Sequence, residues 1–511
     1  MASRSLAEYY HQATKYDPDT IARRGRQLDW ANQPVPFKEY EDAPRIDLAR
    51  YLPVDPAQLS DRELRRLARS EDPAEQLRND LSHLLYFTYG VTAIVHYPDR
   101  PFYMRAAPSA GGLYPAEVYV LSRGTDALPA GLYNYQVRTH SLAQVVRADL
   151  WPDLEAACFK HPALAGARLA VVLSGVFFRS AWRYEDRAYR RILLDTGHAL
   201  GNLALYAPLV DLAAVPLGGF VDKRINDVLL VPDDEEGALC VVPLLPAGAV
   251  TPDLLAKRAL RSKAVAQQAV PEGRRLLALH EASRILEGSR PETSRRRRVE
   301  GEEARHAWMK FAPPIALGDA PPDWGDRLSE TILKRRSTRN YAGSDFTREQ
   351  LGMILAAQDG SNDLLFAPDL LETYVAVHRV AGLEPGCYHR SRENGQLRQL
   401  RFKDLTEEVQ FLCLNQDLGG QAAAVVFHTA DLPGAIAGYG NRAYRYLHLD
   451  AGHLGQRVNL AAIHLGLGAS GIGGFFDDRV NDLLGIPESE AVVYVTTLGV
   501  PAQRGSTEAA S

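Results

Sequence analysis

The chain has few cysteines, few lysines and no long hydrophobic run. Its four cysteines lie far apart and form no Cys-x-x-Cys pair, so the sequence predicts neither a disulfide framework nor a metal site. The apolar stretches are too short, or too interrupted by charge, to predict a membrane-spanning helix. The N-terminus lacks the apolar core of a signal peptide, so we expect a cytoplasmic protein.

The chain also lacks an excess of positive charge. Its formal net charge is -5 at pH 7, so we expect neither nucleic acid nor a membrane surface as a partner. Only nine of its 58 lysine and arginine residues are lysines, which leaves few candidates for a catalytic lysine. With 46% hydrophobic and 24% charged residues, the composition is that of a globular protein.

The chain does contain an internal repeat. RAYRRILLDTGH begins at Arg187 and RAYRYLHLDAGH begins at Arg442, an offset of 255 residues (442 minus 187). The same offset joins Gly219 to Gly474 without a gap. The sequence therefore predicts two copies of one domain rather than three unrelated domains.

The repeat predicts the division of the chain. The charge run Arg295 to Arg298, followed by Glu300, is typical of a solvated linker between the copies, with a binding patch as the alternative. We predict an N-terminal extension 1–45, a first domain 46–250, a charged linker 251–312, a second domain 313–505 and a disordered tail 506–511.

Each copy mixes strand and helix patterns. Residues 185–213 and 440–466 have apolar residues at helical spacing. Gly197 and Gly201 lie on one face of the first of these helices, where another helix could approach closely, so we expect the two copies to meet there. Short β-branched or aromatic runs predict strands at Val118–Leu121, Ala170–Leu173, Leu239–Val242, Tyr374–Val377, Ala424–Phe427 and Val492–Thr497.

The second copy opens with a compact basic group. Arg335, Arg336, Ser337 and Arg339 supply three guanidinium groups and a hydroxyl, a set suited to a phosphate monoester. The alternative interpretation of this group is a basic helix end that faces solvent.

The first copy has a glycine-containing loop before a strand. Pro108, Ser109, Ala110 and Gly111 begin the run PSAGGLYP, whose backbone amides could approach a flat ligand closely. A tight turn is the alternative interpretation of the loop.

The motifs taken together are more specific than the basic group or the glycine-containing loop alone. RRSTR, PSAGGLYP, AGLYNY, the RAYR helix with D-x-G-H, and GIGGF before N-D-L-L resemble the nitroreductase-like flavoproteins, and within them the SagB-type dehydrogenases, which include the thiazoline and oxazoline oxidases. This resemblance implies an α+β fold in which two tandem nitroreductase-like domains form an intramolecular pseudo-dimer. It also implies FMN bound between the two domains.

The resemblance assigns the cofactor site to both copies. The positions in the second copy that match the PSAGGLYP loop read DLLFAPDL, and the first copy lacks an RRS-x-R group. The resemblance therefore implies one complete FMN site and a second, degenerate one. The cofactor-binding residues would be Arg335, Arg336, Ser337, Arg339, Pro108, Ser109, Ala110, Gly111, Gly471, Gly473, Gly474 and Arg504.

Three of the candidates have a competing interpretation. Arg504 follows the last predicted strand, where such folds place a further phosphate contact, but an arginine in a frayed tail is the alternative. His198 and His453 could transfer protons, but a histidine one turn after an aspartate is more often a structural partner. Neither histidine is assigned a catalytic role.

The implied reaction oxidises an azoline ring to an azole. In the azoline oxidases the base is associated with a Lys-Tyr pair, and the matching pairs here are Arg183-Tyr184 and Gly438-Tyr439. Arg183 cannot replace the lysine as a base, because a guanidinium stays protonated. Tyr184 and Tyr439 therefore remain the catalytic candidates, and an ordinary half-buried aromatic is the alternative interpretation of each.

The leading hypothesis is an FMN-dependent oxidoreductase that oxidises peptide thiazoline or oxazoline rings during maturation of a ribosomal peptide natural product. Its expected partners are the azoline-containing precursor peptide and the cyclodehydratase that forms the azolines. One alternative is an FMN enzyme that uses NAD(P)H to reduce nitro or quinone-type substrates. Another is a non-catalytic peptide-binding scaffold of the same fold.

Overall fold

Two seven-stranded antiparallel sheets with surrounding helices form the computed structural model of the chain. It describes residues 5–23, 27–98, 100–266, 269–289, 292, 312–318 and 320–502. The charge run from Arg295 and the predicted tail 506–511 lie outside these residues. No helix in the described ranges is long and apolar enough to cross a membrane.

The helices and strands are numbered here in chain order. The helices are α1 Leu6–Ala13, α2 Pro18–Arg23, α3 Asp61–Leu67, α4 Pro73–Tyr89, α5 Trp151–Ala157, α6 Pro162–Gly166, α7 Phe177–Tyr184, α8 Ala188–Tyr206, α9 Asp222–Leu229, α10 Pro252–Leu255, α11 Arg275–Ala282, α12 Leu328–Lys334, α13 Arg348–Ala356, α14 Thr406–Leu412, α15 Asp417–Gln421, α16 Leu432–Tyr439, α17 Ala443–His464 and α18 Asp477–Leu484. The strands are β1 Arg45–Asp47, β2 Val91–His96, β3 Pro101–Arg105, β4 Ala116–Ser122, β5 Gly131–Gln136, β6 Ser141–Val146, β7 Leu169–Val176, β8 Leu212–Ala214, β9 Glu236–Pro246, β10 Pro314–Ile315, β11 Phe346–Thr347, β12 Leu371–Val377, β13 Val380–Ala381, β14 Gly386–Arg390, β15 Leu397–Arg401, β16 Ala424–Asp431, β17 Gly468–Ile472 and β18 Glu490–Gly499.

The two sheets have the same topology. The first has the strand order β1-β6-β5-β4-β7-β9-β8, and the second has β10-β15-β14-β12-β16-β18-β17. Even the register repeats, since Tyr119 pairs with Val172 and Tyr374 pairs with Phe427 at the same offset of 255. The prediction of two tandem α+β domains is confirmed, and each of the six predicted strands lies within an observed strand.

The two predicted long helices form, although the first is shorter than its pattern. α8 ends at Tyr206, followed by a 3-10 turn and then by strand β8, inside the range predicted as helix. Pro208 lacks the N–H that a continuing helix needs, and Asp211 adopts a left-handed conformation with φ 54°. The apolar pattern extends to residue 213, but the backbone geometry ends the helix at Tyr206.

The long helices α8 and α17 pack on each other through glycines. A Cβ at Gly197 would overlap the carbonyl oxygen of Leu449 and lie 2.9 Å from the Cα of Gly452. A Cβ at Gly201 would lie 3.0 Å from the Cβ of Gln456. The prediction that the copies meet at these glycines is confirmed, and the contact joins the two domains into one core.

The extension and part of the predicted linker are packed against the domains. Helix α1 contacts the second domain, where Ala7 N–H donates to Asn441 Oδ1 at 3.2 Å. Leu260, in the predicted linker, is 3% exposed, and helix α11 buries Leu279. In the described part of 251–312, Leu260, Leu276, Leu279 and Ile285 are buried, so this part of the predicted linker is packed rather than solvated.

The glycine contact gives a stability prediction. We expect Gly197→Ala to lower the free energy of unfolding by about 1–3 kcal/mol, because the added methyl group meets helix backbone that cannot yield locally. Gly201→Ala is the matched control and should cost less, because its contacts are looser. Urea unfolding of both variants measures this. A gain of about 1 kcal/mol at Gly197, as helix propensity alone would give, would contradict the packing described.

Candidate active site

One cavity of about 440 Å³ lies where the two domains and the N-terminal extension meet. Its volume is in the range of small-molecule and cofactor sites. The residues that line it are Ala13, Thr14, Tyr16, Ile21, Pro108, Ser109, Ala110, Gly111, Arg183, Tyr184, Glu185, Asp186, Arg187, Arg191, Leu194, Asp195, His198, Glu272, Arg275, Ser337, Arg339, Leu414, Gln416, Gly471, Ile472, Gly473, Gly474 and Tyr494.

The second domain supplies a wall with a hydroxyl, a guanidinium and a glycine-rich strand end. Ser337 forms a β-bridge with Ala469 next to strand β17, which carries Gly471 into the cavity wall. The helix before Ser337, α12, is capped by Asp61 of the first domain, whose carboxylate accepts the backbone N–H groups of Leu328 and Ser329 at 2.8 and 2.9 Å. Ser337 is thus positioned by contacts to both domains.

The first domain supplies the opposite wall. Ser109 Oγ donates to Asp195 Oδ2 at 2.6 Å, and Ala110 N–H donates to the same oxygen at 3.2 Å. Gly111 has φ 64°, a left-handed conformation that favours glycine. A Cβ there would lie 2.8 Å from the hydroxyl of Tyr184, so the loop and this tyrosine are in close contact.

Most of the predicted site residues meet in this cavity, but Arg335 and Arg336 do not line it. Arg335 is buried and donates to the carbonyl oxygens of Ala106 and Arg105 at 2.9 and 3.0 Å. Arg336 donates to the carbonyl oxygen of Leu333 at 2.8 Å and to Thr92. These two guanidinium groups join the domains. The remaining predicted arginine, Arg504, lies outside the described residues.

The two predicted catalytic tyrosines differ in placement. Tyr184 lines the cavity, whereas Tyr439 is not among the lining residues. The hydroxyl of Tyr439 donates to the carbonyl oxygen of Phe366 at 3.4 Å, at the position related to the cavity by the repeat.

Arg191 is a cavity residue that the motifs did not single out. It is 5% exposed, and its Nη1 has no hydrogen-bond partner among the described residues. Its guanidinium stacks over the ring of Tyr184 at 3.7 Å, and a Cβ at Gly473 would lie 3.2 Å from its Nε. A comparison of the two copies could have identified Arg191. The residue 255 positions later is Tyr446 rather than arginine, so the copies differ at this position.

Asp195 and His198 also line the cavity. Burial raises the pKa of Asp195 to about 7, against the hydrogen bonds from Ser109 and Ala110 that lower it. His198 is hydrogen-bonded to Gln456 at 2.9 Å and to the hydroxyl of Tyr494 at 2.8 Å, and burial lowers its pKa to about 3. His198 is thus a neutral, hydrogen-bonded partner in the cavity floor.

The position related to the cavity by the repeat is filled with side chains. Phe366 stands where the first domain has Gly111, and its ring lies 5.1 Å from that of Tyr446. The Tyr446 hydroxyl donates to the carbonyl oxygens of Gly218 and Leu260 at 3.0 and 2.8 Å. Arg258 adds hydrogen bonds to five backbone carbonyls of the surrounding loops. The same fold therefore leaves space at one of two equivalent places.

The donors on the cavity wall fit the FMN that the resemblance implies. Ser337 and Arg339 provide a hydroxyl and a cation for a phosphate, and Gly471 to Gly474 leave room for a flat ring against the backbone. The buried Nη1 of Arg191 faces the same space and lacks a protein partner in the described ranges. In those ranges no group of three or more His, Cys, Asp or Glu side chains could hold a metal ion.

Comparisons with known proteins agree with this architecture. The sequence model of the nitroreductase family matches residues 65–244 and 332–500. A crystal structure of a nitroreductase-like protein from Anabaena variabilis ATCC 29413 is 47% identical, covers 98% of this chain and 100% of its own, and has a TM-score of 0.87.

Two curated proteins match shorter segments. A nitroreductase-like protein of Methanocaldococcus jannaschii is 32% identical over 170 residues, which are 32% of this chain and 86% of that protein. The microcin B17-processing protein McbC of Escherichia coli is 29% identical over 135 residues, 25% of this chain and 49% of McbC. With family segments in both of its halves, this chain belongs to the nitroreductase family, a family of oxidoreductases.

The buried Asp195 gives a pH prediction. Its pKa of about 7 lies above the ordinary value of 3.8, so its stabilising contribution is present at low pH and is lost as pH rises through 7. The free energy of unfolding of the wild type, relative to Asp195→Asn, should fall by about 1.4 kcal/mol per pH unit between pH 5 and 7. Urea unfolding at several pH values measures it, and a constant difference would contradict the assignment.

Proposed function

We propose that the protein is an FMN-dependent dehydrogenase of the SagB type. It oxidises thiazoline or oxazoline rings of a ribosomally made precursor peptide to the aromatic azoles and works beside the cyclodehydratase that forms those rings. The match to McbC, named as a microcin B17-processing protein, supports a peptide substrate, although it spans only about half of McbC. Membership of the nitroreductase family supports the redox chemistry.

The observation that carries the proposal is the asymmetry of the two related sites. Pro108 to Gly111 of the first domain and Ser337, Arg339 and Gly471 to Gly474 of the second line one open cavity. Phe366 and Tyr446 occupy the other position. The chain is thus a fused pseudo-dimer that retains a single FMN site.

Each wall of the cavity has its own role in this proposal. Ser337 and Arg339 bind the phosphate, and the glycines from 471 to 474 allow the ring system to lie against the backbone. The Pro108 to Gly111 loop, held by Asp195, would provide contacts to the cofactor from the first domain. When bound, FMN would supply the two-electron acceptor for oxidation of the azoline, with dioxygen as the terminal oxidant.

The chain must also accept the proton that the neighbouring ring carbon loses. The end of the cavity near Gly473 contains tyrosine hydroxyls and the guanidinium of Arg191, which favours negative charge on a nearby oxygen. Of the two tyrosines named from the sequence, Tyr184 lies at this end, and Tyr439 lies at the filled position.

A second candidate function is NAD(P)H-dependent reduction of nitro or quinone-type compounds. It is favoured by the match to the nitroreductase-like protein of Methanocaldococcus jannaschii, which covers 86% of that protein. A non-catalytic scaffold is not favoured, because the cavity retains Ser337, Arg339 and the Nη1 of Arg191, which has no partner within the described part of the chain.

The phosphate assignment predicts the effect of Arg339→Ala. A charge-assisted hydrogen bond contributes about 1.5–3 kcal/mol, so the variant should bind FMN about 10- to 100-fold more weakly. Arg348→Ala is the matched control, since this guanidinium faces solvent beside Glu349 in the same domain. Flavin fluorescence titration gives both dissociation constants. Equal affinity in wild type and Arg339→Ala would remove Arg339 from the phosphate site.

The reaction predicts a mass change and a cofactor dependence. An azoline-containing peptide incubated with the holoenzyme and air should lose two daltons per ring, without added nicotinamide. Mass spectrometry follows this loss, and stopped-flow absorbance tests bleaching of the flavin by NADPH. Rapid bleaching with no mass loss would instead establish the nitro or quinone-type reductase.

A further inference from the structure

A third tyrosine lies in the cavity and comes from the N-terminal extension. Tyr16 lines the cavity with Arg191, Gly473 and Gly474. Its backbone N–H donates to Asp477 at 2.9 Å, and it forms a β-bridge with Phe476, so the extension holds it at the second domain. The family segments begin only at residue 65, and Tyr16 therefore belongs to neither repeat.

Two guanidinium groups flank this side chain. Arg187 lies over the Tyr16 ring at 4.1 Å, and the Arg191 guanidinium lies 6.0 Å from the centre of the same ring. Burial raises the pKa of Tyr16, but Arg191 and Arg187 together outweigh burial, so its pKa lies below the usual tyrosine value. Nearby cations favour the phenolate over the neutral phenol.

The other charged groups around Tyr16 do not reverse this lowering of its pKa. Asp477 faces it and opposes the phenolate, but Asp477 forms salt bridges with Arg187 and Arg190 at 2.8 and 2.7 Å. Lys15 is the neighbouring residue, and its ammonium forms a salt bridge with Asp478. Lys15 is not a lining residue of the cavity. Of the Lys15-Tyr16 pair in the extension, only Tyr16 therefore lines the cavity.

Tyr184 has different contacts from Tyr16. Arg191 stacks over the face of the Tyr184 ring rather than donating to its oxygen. The Tyr184 hydroxyl lies against Gly111, where a Cβ would be 2.8 Å away. These contacts suit a positioning residue that supports the loop of the first domain, whereas the Tyr16 ring lies beside both Arg187 and Arg191 in the cavity wall.

We infer that Tyr16 is the catalytic residue that accepts the proton in the oxidation, in place of the family lysine that this sequence lacks. The inference rests on the proposed function. In the step, the azoline ring loses a hydride from one carbon to FMN and a proton from the neighbouring carbon to the Tyr16 oxygen. A carbon-carbon double bond forms between these two ring carbons, and the neutral phenol then returns its proton to water.

The first test measures the titration of Tyr16 without using activity. The full chain is loaded with FMN and labelled with ¹³Cζ-tyrosine. One NMR resonance of the wild type should be absent from the spectrum of Tyr16→Phe, which assigns it to Tyr16. That resonance should titrate below the ordinary tyrosine value of about 10, and Arg191→Met should move its titration upward. Titration at or above 10 in the wild type would overturn the inference.

The second test measures azole formation against pH. In the wild type kcat should rise with pH through the Tyr16 titration. In Tyr16→Phe this rising limb of the pH profile should be absent, and kcat should be about 100-fold lower. Tyr9→Phe is the matched control, because the Tyr9 hydroxyl donates to the carbonyl oxygen of Val270 and Tyr9 does not line the cavity.

The outcomes separate the inference from the proposed function. If azoles form and Tyr16→Phe keeps the wild-type kcat and pH limb, the inference is wrong and the proposed function stands. If the wild type forms no azole, the proposed function fails, and the inferred step fails with it whatever the NMR titration shows. Circular dichroism of Tyr16→Phe checks that the extension remains folded, since the phenyl ring preserves the contact with Arg187.

Discussion

The close contact between helices α8 and α17 is the constraint on which the rest of the structure depends. Gly197 and Gly452 allow the two backbones to meet, and no side chain would fit between them. Helix α8 also carries Arg191, Asp195 and His198, so the same contact brings these side chains to the second domain. The position of the cavity is therefore a consequence of how the two domains pack.

The repeat makes the two sides of this contact nearly equivalent, and a few residues make them differ. Asp195 and Asp450 both accept backbone N–H groups from the loops opposite them. Where one side has Gly111 and Arg191, however, the other has Phe366 and Tyr446, whose rings fill the space. The strand order and register are the same on both sides, so the side chains that occupy the second position, rather than the backbone fold, decide which side is open.

Much of the fold could be predicted from the sequence, because it depends on local and repeated patterns. The two domains, the six strands and the glycine contact followed from the 255-residue offset, β-branched runs and helical spacing. The end of α8 could not be placed by apolar spacing, since Pro208 and Asp211 act through backbone geometry. The packing of 251–289 was also missed, because a charge run dominated the interpretation of a segment that contains buried apolar residues.

The site was only partly predictable, for physical reasons that differ by residue. The motifs identified Ser337, Arg339 and the Pro108 to Gly111 loop, which line the cavity. A motif cannot say where a long side chain points, and Arg335 bonds backbone carbonyls instead. Tyr16 lies outside both repeats, so only the tertiary structure brings it to Arg191.

The central claim is that duplication followed by complementary change left one flavin site in a chain built from two flavoprotein-like domains. The most direct test is the number of FMN molecules bound per chain at saturation, from flavin absorbance and quantitative amino-acid analysis of the same sample. The account predicts one. Two FMN molecules per chain would contradict it, because Phe366, Tyr446 and Arg258 would then have to leave the position that they fill.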